Sequence, residues 1–297
     1  MRRIIHLIAS LCMCISFNLF AAPFEQGIYI SHSTMENTAL LDHLIHESKA
    51  TGINTFVIDY AHRSSTYRKN IQKVKNSGIK YVARIVVFPH GGTSAQIRSE
   101  AYWQKIYLLV EAAIELGADE IQLDYIRYTS KQPPSSRNTD DVVKVLAWFK
   151  SRLAAKGIPL QADMFGVSSY REIKSIGQSV PRFAEYVDAI CPMNYPSHWE
   201  PYKEHAKTPY TTVLNAVKAL KAQLKKDSDT KVYPYIELYN YRYKMSQPQL
   251  FDYIEAQIDA CIDGHADGWY AWSPNNKYHN LFTVLKRKAD NKKIGNP

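Results

Sequence analysis

The chain has 297 residues, 45% of them hydrophobic and 22% charged, which is the composition of a folded protein with a sizeable core. This composition argues against disorder, whereas the length suits either two average domains or one large one. A formal net charge of +9 would suit an anionic partner. Much of the basic charge falls in predicted helical or C-terminal segments, however. This favours solvent-exposed helix faces, rather than an anionic partner, as the explanation of the net charge.

Residues 1–22 have the pattern of a cleavable signal peptide. Two arginines precede an apolar stretch from Ile4 to Phe20, and Ala21-Ala22 follows it. A membrane-spanning helix needs roughly 20 apolar residues. This stretch is shorter and is interrupted by polar residues, which disfavours an uncleaved anchor. We therefore predict export to the periplasm or the exterior, with no stable membrane insertion after cleavage.

The mature chain would keep two cysteines, because the other two lie within the predicted leader. Cys191 falls in a predicted strand and Cys261 in a predicted helix. This placement favours two buried thiols, although a disulfide stays open as an alternative in an oxidising compartment.

From residue 27 onward, short apolar runs alternate with longer segments of helical period, which is typical of parallel βα units. The eight predicted strands are Gly27–Ser31, Asn54–Asp59, Tyr81–Phe88, Glu120–Tyr125, Leu160–Phe165, Ala189–Met193, Val232–Glu237 and Gly268–Trp272. The clearest predicted helices are Asn37–Lys49, Ala101–Leu116, Thr139–Ala155, Thr211–Lys226 and Gln247–Ile262. Glycines a few residues before the next strand end several of these helices.

Eight such units without a linker predict one (β/α)8 barrel, a TIM barrel, over residues 23–288, followed by a basic tail at 289–297. A doubly wound open sheet is the alternative. It is disfavoured because no G-x-G-x-x-G sequence follows a predicted strand.

Active sites of such barrels lie at the carboxyl ends of the strands, so polar residues there are candidates. Alternation in the fourth predicted strand places Gln122 and Asp124 inside and Ile121, Leu123 and Tyr125 outside, against the helices. The fifth strand repeats the pattern and turns Asp163 inward, and the seventh ends on Glu237. Three carboxylates are thus expected to converge, which suits glycoside hydrolysis by an acid and a nucleophile or base.

Arginines, histidines and aromatic residues surround these strand ends, and aromatic faces are natural platforms for sugar rings. Arg84 is expected to face inward and to pair with Asp124, and Arg127 to contact substrate or to tie down the fourth loop by a salt bridge. The predicted substrate-binding residues are Asp59, His62, Arg84, Arg127, Tyr195, His198, Trp199, Tyr239, Trp272 and Asn275.

Other chemistries lack their sequence signatures. His43 and His46 lie three residues apart on a predicted helix, but neither H-E-x-x-H nor a paired-cysteine site occurs. Nucleic-acid motifs and phosphate-binding glycine loops are missing as well. We therefore expect no metal, no cofactor and no nucleic-acid partner; the sequence leaves the oligomeric state open.

Several of these segments together resemble a known family. They are Gly27-Ile-Tyr-Ile-Ser, Asn54-Thr-Phe-Val-Ile-Asp, Ala83-Arg-Ile-Val-Val-Phe, Asp119-Glu-Ile-Gln-Leu-Asp-Tyr-Ile-Arg-Tyr, Ala162-Asp-Met-Phe-Gly, Tyr186 to His198 and Gly268-Trp-Tyr-Ala-Trp. The chain is similar, from about Gly27 to Tyr278, to the glycoside-hydrolase-like barrels called domain of unknown function 4015.

The resemblance implies a (β/α)8 fold distantly akin to amylase-type hydrolases and an activity on polysaccharide. In amylase-type barrels the matching carboxylates would be Asp124 as nucleophile and Asp163 as acid, whereas many other hydrolase barrels would pair Asp124 with Glu237. The chain departs from the family at Glu237-Leu238, where a Gln-Asp pair is expected, and at Cys191, where a serine is usual. The partner of Asp124 therefore stays open between Asp163 and Glu237.

The sequence thus favours an exported glycoside hydrolase acting on a cell-envelope or extracellular polysaccharide. One alternative is a catalytically silent barrel that binds glycan through its aromatic loops. Another is a basic envelope protein that binds an anionic polymer, whose affinity would fall with added salt.

Overall fold

The computed structural model describes residues 24–62 and 64–294, and the predicted signal peptide lies outside this range. Its strands are β1 Glu25–Ile30, β2 Thr55–Asp59, β3 Lys80–Val86, β4 Glu120–Asp124, β5 Leu160–Phe165, β6 Ala189–Met193, β7 Lys231–Val232, β8 Tyr235–Glu237 and β9 Gly268–Trp272. Its α-helices are α1 His32–Met35, α2 Thr38–Thr51, α3 Ser65–Asn76, α4 Ser94–Ile97, α5 Glu100–Glu115, α6 Ser136–Ala154, α7 Val180–Phe183, α8 Tyr202–His205, α9 Pro209–Gln223, α10 Gln247–Asp263 and α11 His279–Ile294. Two 3₁₀ turns, Gly166–Ser169 and Pro196–His198, follow β5 and β6.

The strands close into a parallel barrel. Their order is β5-β4-β3-β2-β1-β9-β8-β6-β7, and a further pairing between β5 and β6 completes the ring. The two short strands β7 and β8 lie end to end beside β6, so they form one of eight staves. This is the predicted (β/α)8 barrel in a single domain.

The strand predicted at residues 232–237 is divided into two short strands in the structure. Tyr233 and Pro234 separate β7 from β8, because a proline has no N–H to donate to a strand ladder. The last helix also runs further than expected, to Ile294, so the segment predicted as a tail from residue 289 begins inside α11.

Two apolar layers hold the barrel together. Side chains such as Ile121, Leu123 and Met164 point outward into a large core beneath the helices. A smaller cluster fills the interior and includes the rings of Tyr29, Tyr235 and Tyr270. Each of these tyrosines carries a polar hydroxyl, which needs a hydrogen-bond partner when the side chain is buried.

Tyr270 shows how the interior satisfies this requirement. Its hydroxyl donates to Glu25 Oε1 at 2.7 Å. The ring lies directly over Gly27, where an added Cβ would come 2.5 Å from the Tyr270 Cδ1 atom. Glycine in β1 thus provides the space for an aromatic ring from β9.

Both cysteines are free and buried, as the favoured interpretation predicts. Cys191 belongs to the barrel interior and Cys261 to the layer between barrel and helices. Within the described part of the chain, no helix combines the length and the apolar character needed to cross a membrane.

Candidate active site

A cavity of about 260 Å³ opens at the carboxyl ends of the strands, which is the face where barrel enzymes carry their active sites. Eight of the residues predicted from the sequence line it. They are Arg84, Asp124, Arg127, Asp163, Tyr195, His198, Tyr239 and Trp272. The remaining walls come from Tyr125, Phe165, Met193, Tyr235, Tyr241 and Pro274.

A larger cavity, of about 760 Å³, lies at the opposite end of the barrel. Lys80 is one of its lining residues and pairs with Glu25 at 2.6 Å and with Glu120 at 2.8 Å. These ion pairs join the first residues of three strands, where barrels usually place stabilising rather than reacting groups. The smaller cavity is therefore the candidate site, because it lies at the carboxyl ends of the strands.

Arg84 holds the floor of the candidate site. Its guanidinium pairs with Asp59, with Asp124 and, at 3.6 Å from Nε, with Asp163 Oδ2. Its side chain is only 7% exposed. The structure thus contains the predicted pair of Arg84 with Asp124 and adds two further carboxylates to the same cation.

Asp124 and Asp163 take equivalent positions on neighbouring strands. Leu123 of β4 lies opposite Ala162 of β5, and each aspartate follows directly in its strand. Burial raises the pKa of Asp163 well above its usual range, and the nearby Asp124 carboxylate adds to the effect. The site therefore offers a proton on Asp163 beside an ion-paired carboxylate on Asp124.

Glu237 does not join this pair. It is fully buried, and its two oxygens accept hydrogen bonds from the backbone and hydroxyl of Ser197, both at 2.8 Å, and from Tyr253 at 2.5 Å. Tyr253 belongs to α10, so the carboxylate turns toward the helix layer instead of the cavity. The expected convergence of three carboxylates is therefore wrong for Glu237.

Burial raises the pKa of Glu237 from its ordinary value of 4.5 to about 7. Its hydrogen bonds with Tyr253 and Ser197 oppose this rise but do not cancel it. His198 of the cavity wall lies close by, with its Nε2 3.6 Å from Glu237 Oε2. Glu237 is therefore placed to support a wall residue.

Aromatic rings form one side of the cavity. His198, Tyr239 and Tyr241 pack against one another, with centroids 4.9 Å apart for His198 and Tyr241 and 4.6 Å apart for the two tyrosines. Tyr241 is 64% exposed. Trp272 packs on Tyr29 at 4.2 Å on the other side. These rings offer the apolar faces on which sugars stack.

Four predicted binding residues lie away from the cavity lining. Asp59 lies behind Arg84 and accepts a hydrogen bond from Tyr29. Trp199 is buried against Gly166. Asn275 is exposed, and its neighbour Asn276 makes the structural contacts instead. His62 lies beside His32 in the loops that follow β1 and β2.

The Tyr125 side chain does not point where the strand alternation predicts. Alternation in the fourth strand placed it outward, with Ile121 and Leu123, yet it lines the cavity. Its φ is 53°, so the strand ends at Asp124 and the next side chain no longer follows the two-residue alternation. Arg127 then packs over the Tyr125 ring at 5.2 Å and the Phe165 ring at 5.0 Å.

Phe165 and Met193 could have been found from the sequence. Each is the last residue of its strand. Phe165 lies two residues after Asp163 and Met193 two after Cys191, so both side chains are expected to point inward as well. Both side chains are apolar, however, and a polar residue at a strand end is the usual sign of a site.

One group of residues could hold a metal ion among those that the structure describes. His32, Glu36 and His62 bring their ligand atoms within 4.8 Å of one another. They come from the loops after β1 and β2, at the same end of the barrel as the cavity.

The fold is shared with several solved enzymes. At 12% identity, 89% of the chain matches 98% of the "C-terminal domain of putative chitinase" from Desulfitobacterium hafniense DCB-2, with a TM-score of 0.63. At 10% identity, 89% of it matches 75% of the spore cortex-lytic enzyme SleL of Bacillus megaterium QM B1551, also with a TM-score of 0.63. At 11% identity, 89% of it matches 96% of catalytic domain 2 of a mutant Ostrinia furnacalis Group II chitinase in complex with an N-acetylchitooligosaccharide, with a TM-score of 0.59.

No curated protein sequence matches the chain significantly. A family model does match, over residues 90–278, and its description is "Putative glycosyl hydrolase domain". This segment runs from the loop after β3 to the residue before α11 and includes both Asp124 and Asp163. The chain therefore belongs to the glycosyl-hydrolase-like family called domain of unknown function 4015.

Proposed function

We propose that the protein is a glycoside hydrolase that uses Asp163 as general acid and Asp124 as nucleophile or base. The observation that supports this most strongly is the pairing of the two groups. A carboxyl group with a raised pKa lies beside an ion-paired carboxylate in an aromatic-lined cavity. Environments that separate the protonation of two neighbouring carboxyl groups are the usual basis of acid and base roles.

The spacing of the two aspartates favours the nucleophile role for Asp124. The strand backbones that carry them lie about 5 Å apart, and both carboxyl groups contact the Arg84 guanidinium, so we propose a short separation between the two carboxyl groups. Retaining glycosidases hold their two carboxyl groups about 5 to 5.5 Å apart, whereas inverting enzymes need roughly 6.5 to 9.5 Å for a water molecule. Asp163 would protonate the leaving oxygen while Asp124 attacks the anomeric carbon. Asp163 would then deprotonate the water that releases the sugar.

We propose a polysaccharide of the cell envelope or the exterior as substrate. The predicted signal peptide would bring the protein to that compartment. The aromatic rings around the cavity suit a sugar chain, and the structural neighbours include chitinases and a spore cortex-lytic enzyme. N-acetylated hexosamine polymers are therefore the first substrates to test.

A glycan-binding barrel without catalytic activity is the second candidate. Asp163 is only 3% exposed, and both aspartates share the ion-pair network of Arg84. Such a network also stabilises a barrel that performs no chemistry. A binding barrel would keep its aromatic wall but would not need an accessible acid.

Turnover and binding of the same oligosaccharides distinguish the two functions. We expect the mature protein to shorten chitooligosaccharides or peptidoglycan fragments, and Asp124→Asn to lose at least roughly 1,000-fold in turnover while still binding them. Asp141→Asn is the matched control, since Asp141 is a buried aspartate of α6 that pairs with Arg98 away from the cavity. Retention of oligosaccharides by the wild-type protein without any shortening would establish the binding barrel instead.

A further inference from the structure

The loops after β1 and β2 bring two imidazoles and a carboxylate together. The Nε2 atoms of His32 and His62 are 3.2 Å apart, and His32 Nε2 is 3.6 Å from Glu36 Oε1. His32 and Glu36 lie four residues apart at the two ends of α1, so they project to the same side of that turn. His62 approaches from the neighbouring loop.

The two separations from His32 match those between ligands on a small metal ion, and all three ligand atoms lie within 4.8 Å of one another. Zinc binds histidine nitrogen and glutamate oxygen at about 2.0 to 2.2 Å, and a tetrahedron of that size places its ligand atoms about 3.3 to 3.5 Å from one another. Two histidines and one glutamate also form a known ligand set for zinc with one open position. We propose that His32, Glu36 and His62 bind a Zn²⁺ ion.

The surrounding residues fix two of the three ligands. Ser64 Oγ donates to Glu36 at 2.8 Å and 2.7 Å, which is the kind of outer contact that orients a ligating carboxylate. The His32 ring stacks on Tyr67 at 5.0 Å with an interplanar angle of 20°. His62 is exposed, so the fourth coordination position can take water from solvent.

The ion would join two loops at the edge of the candidate active site. Tyr67, which supports His32, donates its hydroxyl to the backbone oxygen of Asp59 at 3.0 Å. The Asp59 side chain in turn pairs with Arg84 on the cavity floor. A bound Zn²⁺ would therefore stabilise the loops after β1 and β2 next to the carboxylate network.

A direct hydrogen bond between the two histidines is the simpler alternative, and metal titration distinguishes it. The test uses untagged full chain from an expression strain that processes the leader, titrated with Zn²⁺ by calorimetry and with Co²⁺ by visible absorption. The site variants are His62→Gln and Glu36→Gln, one from each loop. The control is the double variant His43→Gln, His46→Gln, which removes two exposed histidines of α2.

We expect the wild-type protein and the control to bind one Zn²⁺ with micromolar or tighter affinity, and to melt at a higher temperature with the metal bound. Each site variant should weaken binding by at least about 100-fold, because even outer contacts of a ligand contribute 10-fold to 100-fold. Circular dichroism checks that both variants fold. Wild-type protein that binds no Zn²⁺ at micromolar concentration would overturn the proposal, as would site variants that bind as tightly as the control.

Discussion

Arg84 determines the charge at the mouth of the barrel. Its guanidinium lies 5.4 Å from the Tyr29 ring centroid and 5.6 Å from that of Trp272, and it contacts three aspartates. Three ionised carboxylates beside one cation would leave two negative charges uncompensated in a desolvated site, which is costly. Retention of a proton by Asp163 removes one of them. The same arrangement that stabilises the barrel thus provides an acid.

The proton on Asp163 predicts how activity changes with pH. Turnover should fall as pH rises through the elevated pKa of Asp163, because the acid is then lost. Asp163→Asn should lose at least roughly 100-fold on oligosaccharides but much less on aryl glycosides, whose leaving groups need little protonation. The measurement is kcat/KM against pH for both substrate types. An alkaline limb that persists unchanged in Asp163→Asn would contradict the assignment.

The raised pKa of Glu237 should make the stability of the protein depend on pH. Its pKa in the folded protein, about 7, lies above the ordinary value of 4.5, so its contribution is fully present below that ordinary value and is lost as pH rises toward 7. Glu237→Gln removes the titrating group. Between pH 5 and 8, the wild-type free energy of unfolding should therefore fall by about 2.5 kcal/mol more than that of the variant. Urea denaturation at both pH values measures this, and parallel losses would contradict it.

At the scale of elements, the turn after β5 depends on a glycine. A Cβ at Gly166 would come 2.2 Å from Trp199 Cζ2 and 2.5 Å from the Met193 carbonyl oxygen. One of these contacts is backbone, so the clash cannot be relieved by a side-chain rotation alone. The β5 and β6 ends are therefore locked together beside Asp163.

Gly166→Ala should destabilise the protein by about 1 to 3 kcal/mol through overpacking. Gly78→Ala is a useful comparison, since Gly78 has open space around it and a φ of 80°, so that only the left-handed backbone penalty of about 1 to 2 kcal/mol applies. Trp199 fluorescence should change in the first variant alone. An unchanged melting temperature for Gly166→Ala would show that the turn is less tightly packed than the structure indicates.

The strands were predictable because each is short, apolar and bounded by turn residues, and β5, β6 and β9 have the predicted bounds. Pro234 lies within the seventh predicted strand, and that stave is divided there into β7 and β8. Inward parity also identified Asp124 and Asp163. It could not show that Glu237 turns toward Tyr253, because that choice depends on a helix distant in sequence.

The ends of strands were the least predictable part of the site. A single positive φ at Tyr125 moves that ring from the helix layer to the cavity. The cluster of His32, Glu36 and His62 had no sequence motif, because its third member comes from another loop. Both features follow from how loops leave the barrel, which alternation along a strand does not encode.

For the whole molecule, we propose export on the basis of the predicted signal peptide at residues 1–22. The predicted signal peptide should be removed after Ala21 or Ala22 in a host with a secretory pathway. Intact mass and N-terminal sequencing of protein from the periplasm or medium measure the cleavage site. Protein that stays in the cytosol with Met1-Arg2-Arg3 attached would contradict export.

Hydrolysis of a glycosidic bond by Asp124 and Asp163 is the proposed activity of the barrel. The most direct test incubates the mature protein with chitooligosaccharides and peptidoglycan fragments in isotope-labelled water and analyses the products by mass spectrometry. We predict shorter oligosaccharides that carry one labelled oxygen at the new reducing end, with none formed by Asp124→Asn. Products that lack the label, or equal product from Asp124→Asn, would contradict the account.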